Sequence, residues 1–186
     1  MAKIRVLVID DSALIRQMLT EILSSRDDIE VVGTAADPFI AREKIKQLAP
    51  DVLTLDIEMP KMTGLQFLQN LMRLRPMPVV MVSTLTERGA PETLEALELG
   101  AVDYICKPKA KTETKLRIFA DDLVDKVRIA STARVRPFEQ NKVSQQVIAK
   151  STSFPRIIAI GSSTGGTEAI KELLSSVPEN CPPILI

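Results

Sequence analysis

No histidine occurs among the 186 residues, so no imidazole is present to take a proton from a nucleophile. Aromatic residues make up only 3% of the chain, and a core must be built mainly from the Val, Ile, Leu and Ala that dominate its 45% hydrophobic content. Cysteine is limited to Cys106 and Cys181, distant in sequence and each beside apolar residues, which argues for reduced, partly buried thiols over a disulfide or a metal site. Net charge is absent as well: 24 basic residues balance 24 acidic ones, leaving no basic footprint for nucleic acid or an anionic membrane. The longest early apolar run, Val6 to Ile9, is far too short for a bilayer and stops at Asp10-Asp11, with no signal peptide before it. A cytoplasmic protein without membrane insertion is expected.

What the chain does have is regular alternation. Ile4 to Ile9 reads as a strand, followed by Asp10-Asp11-Ser12 and then by Leu14, Ile15, Met18, Leu19, Ile22 and Leu23 at helical spacing. A second strand over Glu30 to Ala35 precedes a helix that begins near Pro38 and ends before Pro50. A third strand, from Val52, ends in Asp56, and Pro60 and Gly64 then break it and launch a helix closed by Pro76. Val79 to Ser83 gives a fourth strand, residues 91–99 a fourth helix, Val102 to Cys106 a fifth strand ending at Lys107-Pro108, and residues 113–129 a fifth helix. Five such alternations predict an α/β fold, a parallel sheet with helices on both faces and every strand's carboxyl end on one edge. The most economical topology is the flavodoxin-like order 2-1-3-4-5, whose ligand site lies beside strands one and three.

Asp10, Asp11, Asp56, Ser83 and Lys107 then share that edge. Three carboxylates brought together repel one another unless a cation sits among them, and a hard ion such as Mg2+ takes a few oxygens while binding a phosphate. Glu58, two residues past Asp56, offers a backbone carbonyl or its side chain. A carboxylate can attack phosphorus to form an aspartyl phosphate, which needs in-line positioning and neutralised charge more than acid–base chemistry. Ordinary roles compete for each residue: Asp11 or Ser12 as a helix cap, Ser83 as a strand end, Lys107 as a solvated loop lysine. Their joint placement at successive strand ends favours the site.

Asp10-Asp11, Asp56 with Met59-Pro60 and Gly64, Ser83, Tyr104 and Lys107-Pro108 together resemble the receiver domain of two-component response regulators, over residues 3–127. The resemblance implies that Asp56 is the phosphoacceptor, that Asp10, Asp11, Asp56 and Glu58 form a Mg2+ site, that Ser83 and Lys107 contact the phosphoryl group, and that Tyr104 is the switch aromatic. A histidine kinase would donate the phosphoryl group, and the Lys107–Pro108 bond would be cis. Thr84 is bulkier than the small residue many receivers carry after the serine, which bears on access to the phosphoryl group and on its lifetime.

Residues 128–154 lose apolar periodicity, are rich in Ser, Thr, Gln, Lys and Arg, and read as an exposed linker. No helix-turn-helix pattern follows, which weakens a transcription-factor reading. Residues 155–186 instead open with Ile157 to Ile160, a glycine-rich turn and a helix-spaced Ala169, Ile170, Leu173 and Leu174. The turn has neither the dinucleotide nor the phosphate-loop spacing, but it contains G-x-S-x-G centred on Ser163, an arrangement that lifts a hydroxyl beside amides able to bind an oxyanion. With a receiver upstream, Ile160 to Thr167 resembles the catalytic serine region of chemotaxis protein-glutamate methylesterases, which hydrolyse glutamate methyl esters on chemoreceptors and deamidate certain receptor glutamines. That resemblance implies Ser163 as nucleophile and the first part of a second, doubly wound α/β catalytic domain over 155–186, with the histidine base and aspartate orienter further along. Without an imidazole these residues are expected to be phosphorylatable but inactive as an esterase, and the chain reads as truncated. The rival reading is a non-enzymatic, phosphorylation-dependent adaptor whose Gly/Ser loop is structural.

Overall fold

A strand whose neighbours lie on both sides and whose faces are both covered can be apolar throughout, and β1 (Ile4–Ile9) has this character: Val6, Leu7, Val8 and Ile9 are all buried. A computed structural model describes residues 3–84, 91–108, 112–135, 157–161, 167–178 and 181–185. It divides into two compact units, Met1–Phe138 and Glu139–Ile186.

In the first unit β1 is followed by α1 (Ala13–Ser24), β2 (Ile29–Ala35), α2 (Pro38–Leu48), β3 (Val52–Leu55), α3 (Gly64–Leu74), β4 (Val79–Ser83), α4 (Pro91–Glu98), β5 (Asp103–Cys106) and α5 (Glu113–Thr132). The five strands form one sheet in the order β2-β1-β3-β4-β5, every adjacent pair parallel. This is the expected flavodoxin-like arrangement, in which right-handed crossovers lay helices on both faces.

The two-residue period of the strands sorts side chains between two cores. Leu7, Ile9, Leu53, Leu55, Val79 and Met81 point to the face covered by α2, α3 and α4, where Ala41, Ile45, Phe67, Leu68, Met72 and Ala96 meet them. Val6, Val8, Val52, Val80 and Val82 point the other way, against Leu19 and Leu23 of α1 and Phe119, Leu123, Val124 and Val127 of α5. Each fully buried Leu, Ile, Phe or Met contributes about 1.5–3 kcal/mol of transfer free energy.

The helix ends are closed by local chemistry. Ser12, rather than Asp11, is the N-cap of α1, its hydroxyl accepting from the Ile15 N–H. Asp37 caps α2 through the Phe39 and Ile40 N–H groups, and Thr63 with Gln66 forms a capping box on α3. α5 runs to Thr132, three residues beyond the expected 129, because Val127 and Ala130 keep its apolar face buried. Ser131 and Thr132 then hydrogen-bond back to the Arg128 and Ile129 carbonyls.

The second unit contains β6 (Ile158–Ala159), α6 (Thr167–Ser176) and β7 (Ile184–Leu185), with β6 and β7 paired in parallel. This is the strand–helix–strand pattern expected over 155–186. None of its described residues is buried, and Ile157 and Leu185 are 73% and 67% exposed.

Candidate functional site

Strand register brings the acids together. Ile9 pairs with Leu55, so the next residues, Asp10 and Asp56, leave neighbouring strands side by side at the carboxyl edge. The Asp56 N–H donates to the Ile9 carbonyl at 3.0 Å, and the Asp10 N–H to the Ala35 carbonyl at 3.1 Å, so both acids are pinned by main-chain bonds continuing the ladder. On the other flank Ser83 pairs with Cys106, and the Lys107 N–H donates to the Ser83 carbonyl at 2.9 Å.

Three carboxylate oxygens, one each from Asp10, Asp11 and Asp56, lie within 4.8 Å of one another. Asp10 and Asp56 are buried, whereas Asp11 is exposed at the mouth. Lys107 Nζ sits 2.7 Å from Asp10 Oδ2 and 2.7 Å from Asp56 Oδ2, and donates a hydrogen bond to the latter. Asp10 Oδ1 accepts from the Ser12 N–H at 2.9 Å, tying the acid to the start of α1. Asp10 Oδ2 has the ammonium as a charge contact without a well-directed hydrogen bond, and Asp56 Oδ1 is buried with no hydrogen-bond partner among the described residues.

Burial pushes the Asp56 carboxyl above the usual carboxylate range; the Lys107 ammonium opposes this and the Asp10 carboxylate adds to it. Burial also works against the Lys107 ammonium, but the Asp10 and Asp56 carboxylates outweigh it and hold Lys107 above its ordinary value. Three carboxylates and one ammonium leave a formal charge of about −2 in the pocket, and a buried carboxylate oxygen has no donor. That donor set, all hard oxygens, fits a divalent cation of the Mg2+ class.

The response regulator receiver domain family matches residues 6–119. This chain belongs to the response regulator receiver family. Among curated relatives, the protein-glutamate methylesterase/protein-glutamine glutaminase of Nitrosomonas europaea is 56% identical over 194 residues, covering 100% of this chain and 54% of that protein. A protein of the same name from Cupriavidus pinatubonensis is 56% identical over 189 residues, covering 100% of this chain and 53% of the relative. The chain thus spans about half the length of the curated relatives it matches. Among solved structures, the response regulator domain of Thermotoga maritima CheB superposes with a TM-score of 0.66 at 47% identity, over 71% of this chain and 98% of that one. A chain of the CheX-CheY-BeF3-Mg+2 complex from Borrelia burgdorferi gives 0.60 at 30% identity, over 71% of this chain and 92% of that one.

Within the receiver, Asp10, Asp11, Asp56 and Lys107 converge as expected, and Ser83 lies at the same edge, fully buried. Glu58 is not part of the carboxylate cluster: its Oε2 accepts a hydrogen bond from Thr84 Oγ1 at 3.1 Å. Tyr104 lies on β5 opposite Met81, half-buried against the α2, α3 and α4 side of the core, with Lys126 Nζ 5.8 Å from its ring centre. The expectation of a cis bond before Pro108 is corrected, since no described peptide bond is cis. Trans is the intrinsically favoured X–Pro isomer by about 0.5–1 kcal/mol, and Lys107 reaches both acids from it. Ser163 lies outside the described residues.

Two contributors were not legible beforehand. Arg16 donates from one guanidinium nitrogen to both the Asp10 and Asp11 carbonyls at 2.8 Å, holding the acidic turn from the first turn of α1. The other is the Thr84 contact to Glu58, which joins the loops after β3 and β4. Position offered a hint for Arg16 alone, four residues after the Ser12 cap.

Proposed function

We propose that this chain is the phosphorylatable receiver, linker and opening catalytic segment of a chemotaxis protein-glutamate methylesterase that also deamidates receptor glutamines. The observation that carries the receiver part is the convergence of Asp10, Asp11 and Asp56 with Lys107 on one sheet edge. The enzyme part is supported by relatives of that name aligned along the whole chain.

In this reading a carboxylate oxygen of Asp56 attacks the phosphorus of a phosphohistidine on a partner kinase; the new O–P bond replaces the N–P bond, and the imidazole leaves. Asp10, Asp11 and Asp56, with the Glu58 carbonyl, hold Mg2+, which when bound supplies charge neutralisation at the phosphoryl oxygens. The neighbouring Borrelia complex, a CheX-CheY-BeF3-Mg+2 assembly, supports that assignment. Lys107, already 2.7 Å from Asp56, supplies a fixed positive charge, and Ser83 a hydroxyl from the adjacent strand. Tyr104 reports the phosphoryl state on β5, favouring a receiver arrangement in which catalysis is released.

The domains are taken as receiver 3–127, linker 128–154, whose first five residues continue α5, and catalytic segment 155–186. Ser163 is the proposed ester nucleophile of the intact enzyme, working with a base not supplied by this histidine-free stretch. Methylated chemoreceptors are the substrates, and the location is cytoplasmic; no helix among the described residues is long and apolar enough to cross a membrane.

Asp56→Asn should abolish acyl-phosphate-dependent labelling of the chain, and undiminished labelling would place the acceptor elsewhere. In the intact protein Ser163→Ala should remove ester hydrolysis while sparing Asp56 labelling; retained turnover would refute the serine.

A further inference from the structure

Between α2 and α3 lies a groove of about 600 Å3 that shares no residue with the acidic pocket. Its wall is apolar: Phe39 and Ile45 from α2, Met62 from the preceding loop, and Phe67, Leu71 and Leu74 from α3. Phe39 is 53% and Leu74 74% exposed, and both border this one groove. A single exposed Leu is ordinary, but two large side chains flanking a preformed apolar groove are a binding surface. Its volume falls in the range of preformed, mostly apolar ligand sites.

The charged part of the lining has one sign. Arg42, Lys46 and Arg75 border the groove, and no carboxylate does. Glu43 contacts both Arg42 and Lys46 only at 3.6 Å, with all three side chains more than half exposed, so most of their charge faces solvent. Arg75 also donates to the Ile45 carbonyl at 3.2 Å, tying the end of α3 to α2 and fixing the groove's width.

We propose that this groove docks an acidic amphipathic helix of a partner protein, its apolar stripe between Phe39 and Leu74 and its carboxylates against Arg42, Lys46 and Arg75. Charge selects this occupant. Of the chain's own segments, residues 136–156 carry four Lys or Arg and one Glu, the wrong sign for the rim, and α6 carries Glu168 and Glu172 with Lys171, leaving it only one net negative charge. A second copy using the same face would set these cations against their own counterparts. A helix laid in a groove is a recurring recognition mode, with anchors at i, i+3 or i+4, and i+7. The proposal is independent of phosphorylation at Asp56.

The test is fluorescence anisotropy with a labelled helical peptide carrying Leu at i, i+4 and i+7 and Glu on its opposite face, titrated with the chain at low salt. A matched peptide with Lys for every Glu is the control. The acidic peptide should bind at least about tenfold more tightly than the basic one and weaken with added salt. Phe39→Ala with Leu74→Ala, and separately Arg42→Glu with Lys46→Glu, should each cost about tenfold or more with far-UV circular dichroism unchanged. All four positions are solvent-exposed, so these variants spare the core. Equal affinity for the two peptides, binding unaffected by both double variants, or no saturation by about 1 mM overturns the proposal. Sedimentation of the chain alone guards the remaining case: a dimer lost in Leu74→Glu would assign the groove to a second copy and refute the proposed occupant.

Discussion

Gly64 is the first residue of α3, and its N–H donates to the Ile57 carbonyl at 2.8 Å, closing the loop that carries Asp56 into the pocket. A methyl at this position would overlap the Asp56 carbonyl oxygen and stand 2.8 Å from the Asp56 carbonyl carbon and 2.9 Å from Ile57 Cα. These are backbone atoms, which cannot rotate aside as a side-chain tip can. The sign of Gly64→Ala is therefore diagnostic. At an unobstructed helical position, alanine would stabilise by about 1 kcal/mol. Forcing the methyl against backbone costs about 1–3 kcal/mol, with the upper end apt here, and losing the Gly64 hydrogen bond adds about 1 kcal/mol. The net expectation is a loss of about 2–3 kcal/mol. With a urea m-value of about 1–3 kcal/mol/M, the midpoint should fall by about 0.7–3 M.

The chain has no tryptophan, so the transition is best followed by far-UV circular dichroism. Displacing α3 also moves the Asp56–Ile57 backbone, so phosphoryl labelling at Asp56 should fall together with stability. Gly33→Ala is the control: its Cβ would come within 2.9 Å only of Leu48 Cδ1, the free end of a flexible side chain, and the change should be within about 1 kcal/mol of neutral. A Gly64→Ala variant with an unchanged or raised midpoint and the same m-value would refute the argument that the close approach, rather than chance, keeps glycine there.

Lys107→Met leaves the Asp10 and Asp56 carboxylates buried without their cation and should cost about 3 kcal/mol in EDTA, of which Mg2+ at a hundred times its Kd restores about 2.7 kcal/mol; denaturation midpoints equally low with and without Mg2+ would contradict this. Asp37 holds its carboxyl below the usual range chiefly through the Ile40 N–H, so the stability this ionisation confers is present above about pH 4 and is lost as pH falls through its depressed folded value. The melting-temperature difference between wild type and Asp37→Asn should accordingly shrink on acidification below pH 4, and a difference independent of pH would count against it. Ala49, the C-cap of α2, has φ 42, a left-handed conformation that penalises a Cβ, so Ala49→Gly should stabilise by about 0.5–1 kcal/mol in urea titration. Thr84→Ala frees Glu58 Oε2 from its 3.1 Å partner and opens the loop beside the acceptor; the half-life of phospho-Asp56 should change about threefold or more, and an unchanged half-life would mean the contact is incidental.

The sheet was legible because its strands are buried on both faces, so that Val6–Ile9 and Val79–Val82 are unbroken apolar runs, and their alternation with helical segments points to a parallel sheet. The acids were legible for the same reason: a charge directly after such a run has only the sheet edge to occupy, and register then sets Asp10 beside Asp56. The end of α5 was harder to read because Ser131 and Thr132 are poor helix formers, and tertiary burial of Val127 and Ala130 decides the matter. Arg16 was missed because its targets are main-chain carbonyls, whose positions follow from the turn and leave no complementary residue type in the sequence. Glu58 entered the metal set through the family resemblance and its place two residues past Asp56, with either its carbonyl or its side chain as donor; the side chain's partner Thr84 comes from a different strand's loop, and no local pattern announces that pairing.

In the proposed mechanism, charge balance decides what these few residues can hold. Asp10, Asp11 and Asp56 against Lys107 leave about −2, which a monovalent ion halves and a divalent ion cancels, so Mg2+ rather than K+ suits the pocket. A dianionic aspartyl phosphate in place of the Asp56 carboxylate then adds one negative charge beside a lysine already bound to the carboxylate it replaces. Lys107 already contacts both Asp10 and Asp56 at 2.7 Å, and it is the residue directly after β5, three beyond Tyr104. On this reading Lys107 links the new charge directly to the strand bearing the aromatic residue, whereas α1 is tied to the acids through Arg16 and Ser12.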